Sequence, residues 1–162
     1  MEIKLSSGHI VLVDKEDYDL ISEHRWYLSN IRLKIPYAVT GNLKRYNGKR
    51  LRMHRLIMNA GPNQFIDHVN RNGLDNRRCN LRFCTRAQNN QNSYIPKGVS
   101  KFKGVSWAKS RTIWEARIGV NHRLIFIGYF ENEIEAAEAY DKAALKHFGE
   151  FARINFPKEP TK

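Results

Sequence analysis

The sequence predicts an α+β chain of two modules. The first has N-terminal β-hairpins leading into a strand–loop–strand–helix unit; the second is a three-stranded antiparallel sheet packed on one helix. Three observations carry this. Short runs rich in β-branched and aromatic residues recur between Gly- and Asn-containing turns, as strands joined by tight connections do. One long amphipathic run, Ile134–Phe148, stops at Gly149 and reads as a helix. Between the halves, residues 90–101 are polar and carry Pro96 and Gly98; they read as a connection, with 93–100 the linker between modules at 1–92 and 101–158.

The elements follow in order. Residues 3–13 alternate loosely around Ser6-Ser7-Gly8-His9, a hairpin, and Asp14–Ser22 is an acidic, helix-compatible stretch. Tyr37–Thr40 and Leu51–His54 are strand candidates joined by the Lys44–Lys49 turn with its Asn47-Gly48 pair. Phe65–His68 reads as a strand, residues 67–80 as a long polar loop, and Asn80–Cys84 as the returning strand. Thr85-Arg86-Ala87-Gln88 has the Thr-x-x-Gln form of a capping box and opens a helix through the Asn/Gln run behind it, aiming Asn89 back toward Asp67.

Beyond the linker, Gly104–Lys109, Trp114–Val120 and Leu124–Tyr129 are strands, the last two joined tightly through Asn121-His122-Arg123. In the following helix Ile134, Ala137, Tyr140, Ala144 and Phe148 form one apolar stripe, and its alanines allow close approach to the sheet. Its remaining positions include Glu133, Glu135, Glu138 and Asp141, a charge that repels a polyanion such as DNA. The helix should therefore cover one sheet face and leave the opposite, basic face for a ligand.

Charge distribution points to the partner. The chain has 28 basic and 16 acidic residues, a net of +12. Residues 32–86 carry thirteen basic against two acidic, and residues 97–124 seven against one, while 1–31 and 125–150 are net acidic. Such clustering fits a polyanion better than a merely solubilising surface would. No stretch of 18 or more apolar residues and no secretory N-terminus is present, which disfavours a membrane or secreted protein. Cys79 and Cys84 are too few for a disulfide framework or a four-cysteine zinc site, and read as reduced, intracellular cysteines.

The candidate chemistry sits at the end of the Phe65–His68 strand. Asp67 and Asn89 offer a carboxylate and an amide oxygen, hard donors suited to Mg²⁺ or Mn²⁺. His68 titrates near neutrality and can deprotonate water. Taken alone, an Asp-His pair is equally well a satisfied structural histidine.

The wider pattern, Asp67-His68-Val69-Asn70-Arg71-Asn72-Gly73-Leu74-Asp75-Asn76-Arg77-Arg78-Cys79-Asn80-Leu81-Arg82 with Thr85 and Asn89, resembles the HNH nuclease family, especially its phage and intron-encoded homing members. Met53-His54-Arg55-Leu56-Ile57-Met58 resembles what precedes the motif there; the likeness covers roughly residues 50–92. It implies a ββα-metal fold, His68 as general base, Asp67 and Asn89 as ligands of Mg²⁺ or Mn²⁺, and Asn80 as a structural amide tying the loop near the histidine. The last position of the motif is Asn89 rather than His, a known variant. Arg52, Arg55, Arg71, Arg77, Arg78 and Arg82 are candidates to grip phosphates.

Lys103-Gly104-Val105-Ser106-Trp107, Trp114-Glu115-Ala116-Arg117-Ile118, Ile127-Gly128-Tyr129-Phe130, Glu135–Asp141 and Asn155 resemble an APETALA2-type DNA-binding domain over about residues 101–156. That resemblance implies a sheet in the major groove of double-stranded DNA, with Lys103, Ser106, Arg117, Gly119, Leu124 and Phe126 facing it. Lys103, Lys109, Arg117 and Arg123 are the expected contacts; Trp107 and Trp114 serve either DNA or core. Several positions that are Arg or Trp in plant members are Ser, Gly, Leu or Phe here. The expectation is a DNA endonuclease, with a catalytically lost DNA-binding regulator as the alternative. It would be intracellular, in a bacterial host and encoded by a phage or mobile element, a monomer with a dimer as the alternative, and without small-molecule cofactor.

Overall fold

The computed structural model describes residues 1–29, 35–42, 50–93 and 99–157. They form two compact units, Met1–Asn89 and Asn90–Lys162.

In the first unit, β1 (Glu2–Lys4) and β2 (Ile10–Leu12) form the expected antiparallel hairpin, turning at Gly8 with φ 83°. A single 3₁₀ turn, Lys15–Asp17, runs into α1 (Tyr18–Ser22). A second sheet has the order β3 (Trp26–Leu28), β4 (Ala38–Asn42), β5 (Arg50–Arg52). β3 was not expected: Trp26 is fixed by burial and by Nε1 donating to the Ile21 carbonyl at 2.8 Å, which no local pattern announces. The Lys44–Lys49 turn lies outside the described residues. Leu51–His54 is a strand only to Arg52; Met53 starts α2 (Met53–Ile57). Met53, His54 and Ile57 are all buried, at 0%, 4% and 2% exposure, the i, i+1, i+4 spacing of one helix face and not the alternation of a strand.

β6 (Phe65–His68) pairs antiparallel with β7 (Leu81–Cys84), and α3 (Arg86–Asn92) follows through the Asn/Gln run. The capping box forms reciprocally: Gln88 N–H donates to Thr85 Oγ1 at 3.2 Å, and Thr85 N–H to Gln88 Oε1 at 2.7 Å. Leu5, Val11, Val13, Ile21, Met53 and Leu81 are among the side chains of one shared core.

In the second unit, β9 (Ile113–Val120) lies between β8 (Val105–Ala108) and β10 (Arg123–Phe130) in a three-stranded antiparallel sheet. The β9–β10 connection is the two-residue turn Asn121-His122, with φ 49° and 63°, the positive values that a type I′ hairpin needs. α4 (Glu133–Phe148) covers one face, capped by Asn132 Oδ1, which accepts from Ile134 N–H at 2.8 Å. Ala136, Ala137, Tyr140 and Ala144 are buried against Val105, Ala116 and Ile118. Ile134 belongs to the expected stripe but is 50% exposed, because the buried arc is centred on Ala136 and Ala137. At Gly104, φ is +77° and a Cβ would stand 2.0 Å from the Tyr140 ring, so only glycine lets the helix lie this close.

Asp141 also departs from expectation. It is buried, accepts from Asn155 N–H at 2.7 Å and Nδ2 at 3.0 Å, and accepts from Phe156 N–H at 2.9 Å. Asn155 Oδ1 in turn accepts from Lys103 N–H at 2.7 Å. These bonds tie the tail to α4 and to the start of the sheet, so this carboxylate is not part of a DNA-repelling surface.

Candidate active site and nucleic-acid interface

β6 ends on Asp67 and His68 because its register sets them opposite Arg82 and Leu81, and Leu81 is core. Both are buried, at 6% and 5% exposure. The loop that follows is folded by its own side chains. Asn80 Oδ1 accepts from Asn70 N–H at 2.9 Å, and Asn80 Nδ2 donates to the Asp75 carbonyl at 2.7 Å. Val69 N–H meets the Asn80 carbonyl at 2.9 Å, and Arg71 N–H the His68 carbonyl at 2.9 Å. The hairpin supports the loop from behind: Leu12 N–H donates to Leu74 O at 2.9 Å, and Asn76 N–H to Leu12 O at 2.7 Å.

His68 has neighbours the sequence did not announce. Its Nε2 lies 3.3 Å from Asn76 Oδ1. The His54 ring meets it edge-on, centroids 4.8 Å apart, and the Tyr37 ring lies at 5.7 Å. Tyr37 can approach because Gly73 has no Cβ, which would stand 2.3 Å from the Pro36 carbonyl and 2.7 Å from the Tyr37 ring. Burial pushes His68 below the ordinary imidazole range, against the opposing pull of its Asn76 bond and of Asp67. Burial pushes His54 down to about 2, helped by His68 and Arg52. Both rings are neutral at physiological pH. Asn76 Nδ2 is fully buried with no hydrogen-bond partner among the described residues. Of these neighbours, His54 and Asn76 stood inside the motif-like runs; Tyr37, the residue before β4, carried no such signal.

Asp67 is gripped by Arg82, whose Nε and Nη2 donate to Oδ2 at 3.1 and 2.8 Å. Asn89 sits half-buried in the first turn of α3, its N–H donating to the Thr85 carbonyl at 3.0 Å. Among the described residues, no three His, Cys, Asp or Glu side chains converge to hold a metal ion. By their residue types, Asp67 and Asn89 would offer a cation oxygen donors only, the kind that suit Mg²⁺ or Mn²⁺.

Most of the arginines expected on phosphates have structural partners. Arg55 donates to the carbonyls of Gln64, Ala60 and Gly61 at 2.7, 3.3 and 2.5 Å, fastening the turn before β6. Arg77 makes a two-point pair with Asp75 at 2.8 and 2.7 Å, and its guanidinium holds the Asp75 carboxyl below the usual carboxylate range. Arg78 pairs with buried Asp17, Nη2 to Oδ1 at 2.6 Å, and also donates to the Ile57 carbonyl. Arg52 is exposed and lies over the Tyr37 ring at 4.9 Å. The Arg71 guanidinium makes no ion pair among the described residues.

In the second unit, alternation puts Ser106, Glu115, Arg117, Gly119, Leu124 and Tyr129 on the sheet face away from α4. Lys103 is not on that face: its Nζ donates to the carbonyls of Gln91 and Ser93, the latter at 2.8 Å. Arg123 pairs in register with Val120, which packs under α4, so it begins β10 on the covered side. Lys109 is exposed in the β8–β9 turn. Trp114 packs in the core under α4, and Trp107, opposite it at 5.0 Å, is 37% exposed. Arg111, which sequence reasoning passed over, lies over the Tyr129 ring at 4.9 Å.

Comparison with known proteins supplies the class. An uncharacterised HNH endonuclease of Acanthamoeba polyphaga mimivirus is 30% identical over 152 residues, covering 91% of this chain and 75% of that protein. This chain belongs to the HNH endonuclease family. An APETALA2-like protein of Oryza sativa is 43% identical over 68 residues, which is 41% of this chain but 15% of the rice protein. An ethylene-responsive transcription factor of Arabidopsis thaliana is 40% identical over the same length, 16% of its own chain. No family model matches the chain. No helix among the described residues is long and apolar enough to cross a membrane.

Proposed function

We propose that this chain is a metal-dependent DNA endonuclease whose first module hydrolyses a phosphodiester bond while the second, residues 101–158, holds the duplex. The observation that carries this is the relationship to the mimivirus HNH endonuclease along nearly the whole chain, together with Asp67 and His68 side by side at the end of β6, before a loop braced by Asn80. Asp67 and Asn89 would hold Mg²⁺ or Mn²⁺, which when bound supplies positive charge against the charge developing on the phosphate.

His68 is the base. Its neutral form is enforced by burial, and Nε2–H donation to Asn76 Oδ1 puts the ring lone pair on Nδ1. That nitrogen takes the proton as water attacks phosphorus in line and the leaving oxygen departs. Asn80 keeps the loop, and with it the ring, in place. One such site cuts one strand, so a monomer nicks.

Supercoiled plasmid incubated with Mg²⁺ tests the reading. Conversion to the nicked form by the native chain, lost in His68→Ala and on chelation, is the expected result. Equal nicking by the variant, or none by either on a selected site, overturns it in favour of a DNA-binding regulator.

A further inference from the structure

The outer face of the β8–β10 sheet has a chemistry that phosphate binding leaves unexplained. Its centre is apolar: Leu124 is 65% exposed, Phe126 49% and Tyr129 41%. Phe126 and Tyr129 are three residues apart, so plain strand alternation would set them on opposite faces. An extra residue in β10, between Phe126 and Gly128, cancels this. Phe126 then stands opposite Arg117 and Tyr129 opposite Glu115 on one side, their rings 4.8 Å apart. Beside them Gly119, opposite Leu124, has no atom within 4 Å of where a Cβ would stand, and a ligand can come close to the backbone there.

Charge says what covers this face. Among the described residues, the basic side chains on or beside this face are Arg117, Arg111 over the Tyr129 ring and Lys109 in the β8–β9 turn, against one acidic, Glu115. The Glu115 carboxylate is itself occupied, by Ser106 Oγ at 3.0 Å and Arg117 Nη2 at 2.9 Å. A second copy of the chain would bring like charges together, whereas a polyanion is attracted. The apolar centre then needs an apolar feature on that polyanion. In the major groove of duplex DNA that feature is the C5-methyl group of thymine.

We propose that this face selects its site by contact of Leu124, Phe126 and Tyr129 with thymine methyl groups, with Arg111 at its edge serving the phosphates. The proposal rests on the reading that the second module binds duplex DNA, and adds the kind of base it chooses.

The experiment uses the full chain with chelator present, so that nothing is cut. Bound sequences are selected from a randomised duplex pool. The chosen duplex is then compared, at one salt concentration, with the same duplex carrying deoxyuridine for every thymine. The expected result is A·T pairs at the fixed positions and binding weakened about fourfold for each contacted methyl, the factor that ~0.8 kcal/mol per buried carbon corresponds to. A Leu124→Ser/Phe126→Ser chain, with its fold checked by circular dichroism, should lose most of the difference between the two duplexes; a difference as large as the native chain's overturns the proposal. Tight duplex binding with no difference between thymine and deoxyuridine overturns this proposal and leaves the DNA-binding reading standing. Absence of duplex binding overturns both, whether the chain then prefers single strands or self-associates in sedimentation.

Discussion

Arg82 holds Asp67 through two nitrogens on one carboxylate oxygen, Nε at 3.1 Å and Nη2 at 2.8 Å, from the position directly across the β6–β7 pair. The pair is largely buried, at 14% and 7% side-chain exposure. An arginine so placed neutralises the carboxylate that the nuclease reading assigns to a cation, so ion and arginine should compete for it. Removing the arginine takes its ion pair from a buried carboxylate, at a cost of about 3 kcal/mol. Arg82→Ala should therefore melt well below the native chain without metal, and Mg²⁺ should raise the variant's melting temperature more than the native one's. An equal Mg²⁺ effect in both would show that the two cations do not share Asp67.

His54 predicts an acid-sensitive fold. Its ring is neutral in the core with a value near 2, against 6.5 when exposed, and desolvation is the main cause. As pH falls through 6.5 the unfolded chain takes up a proton that the folded chain refuses. Stability is thus full above 6.5 and drains as pH drops toward 2, at about 1.4 kcal/mol per pH unit. Between pH 7.5 and 5 the native chain should lose about 2 kcal/mol from this group alone. In His54→Leu that part of the loss should vanish, as read from urea midpoints at the two pH values. Parallel losses in both chains would mean that His54 takes up its proton normally.

Sequence reading reached the parts of this molecule written in local pattern. The β6–loop–β7–α3 unit was legible because Thr85 and Gln88 form a capping box that needs only each other, and the sheet–helix module because alternation and helical periodicity are both clean there. What it missed is tertiary. Trp26 is a strand residue because a core surrounds it, and Tyr37 reaches His68 because Gly73, far along the chain, leaves room. The arginines show the same limit: their number was visible, but their pairing with Asp75, Asp17 and Asp67 depends on which carboxylates the fold brings beside them.

Asp141 separates a surface role from a structural one. Read as exposed charge, its neutralisation would improve DNA binding. The structure instead gives both its oxygens to Asn155 and Phe156. Asp141→Asn turns one acceptor into a donor facing a main-chain N–H, and should cost about 1–3 kcal/mol of stability with no gain in affinity for duplex. Tighter binding at unchanged stability would contradict this.

Arg71 and Arg78 should behave as opposites. The Arg71 guanidinium makes no ion pair among the described residues, in the turn that leaves His68 with φ 63°. Arg78 is spent on Asp17, which is 3% exposed, and on the Ile57 carbonyl. If phosphate is gripped next to the cutting site, Arg71→Ala should flatten the plot of log affinity against log salt by about one unit, at little cost in stability. Arg78→Ala should leave that slope alone and instead lose about 1–3 kcal/mol, because Asp17 stays buried without its donor. Binding titrations over a salt series, paired with urea melts of the same two variants, read both quantities. A slope that moves for Arg78→Ala with the melt unchanged would return that arginine to the DNA surface.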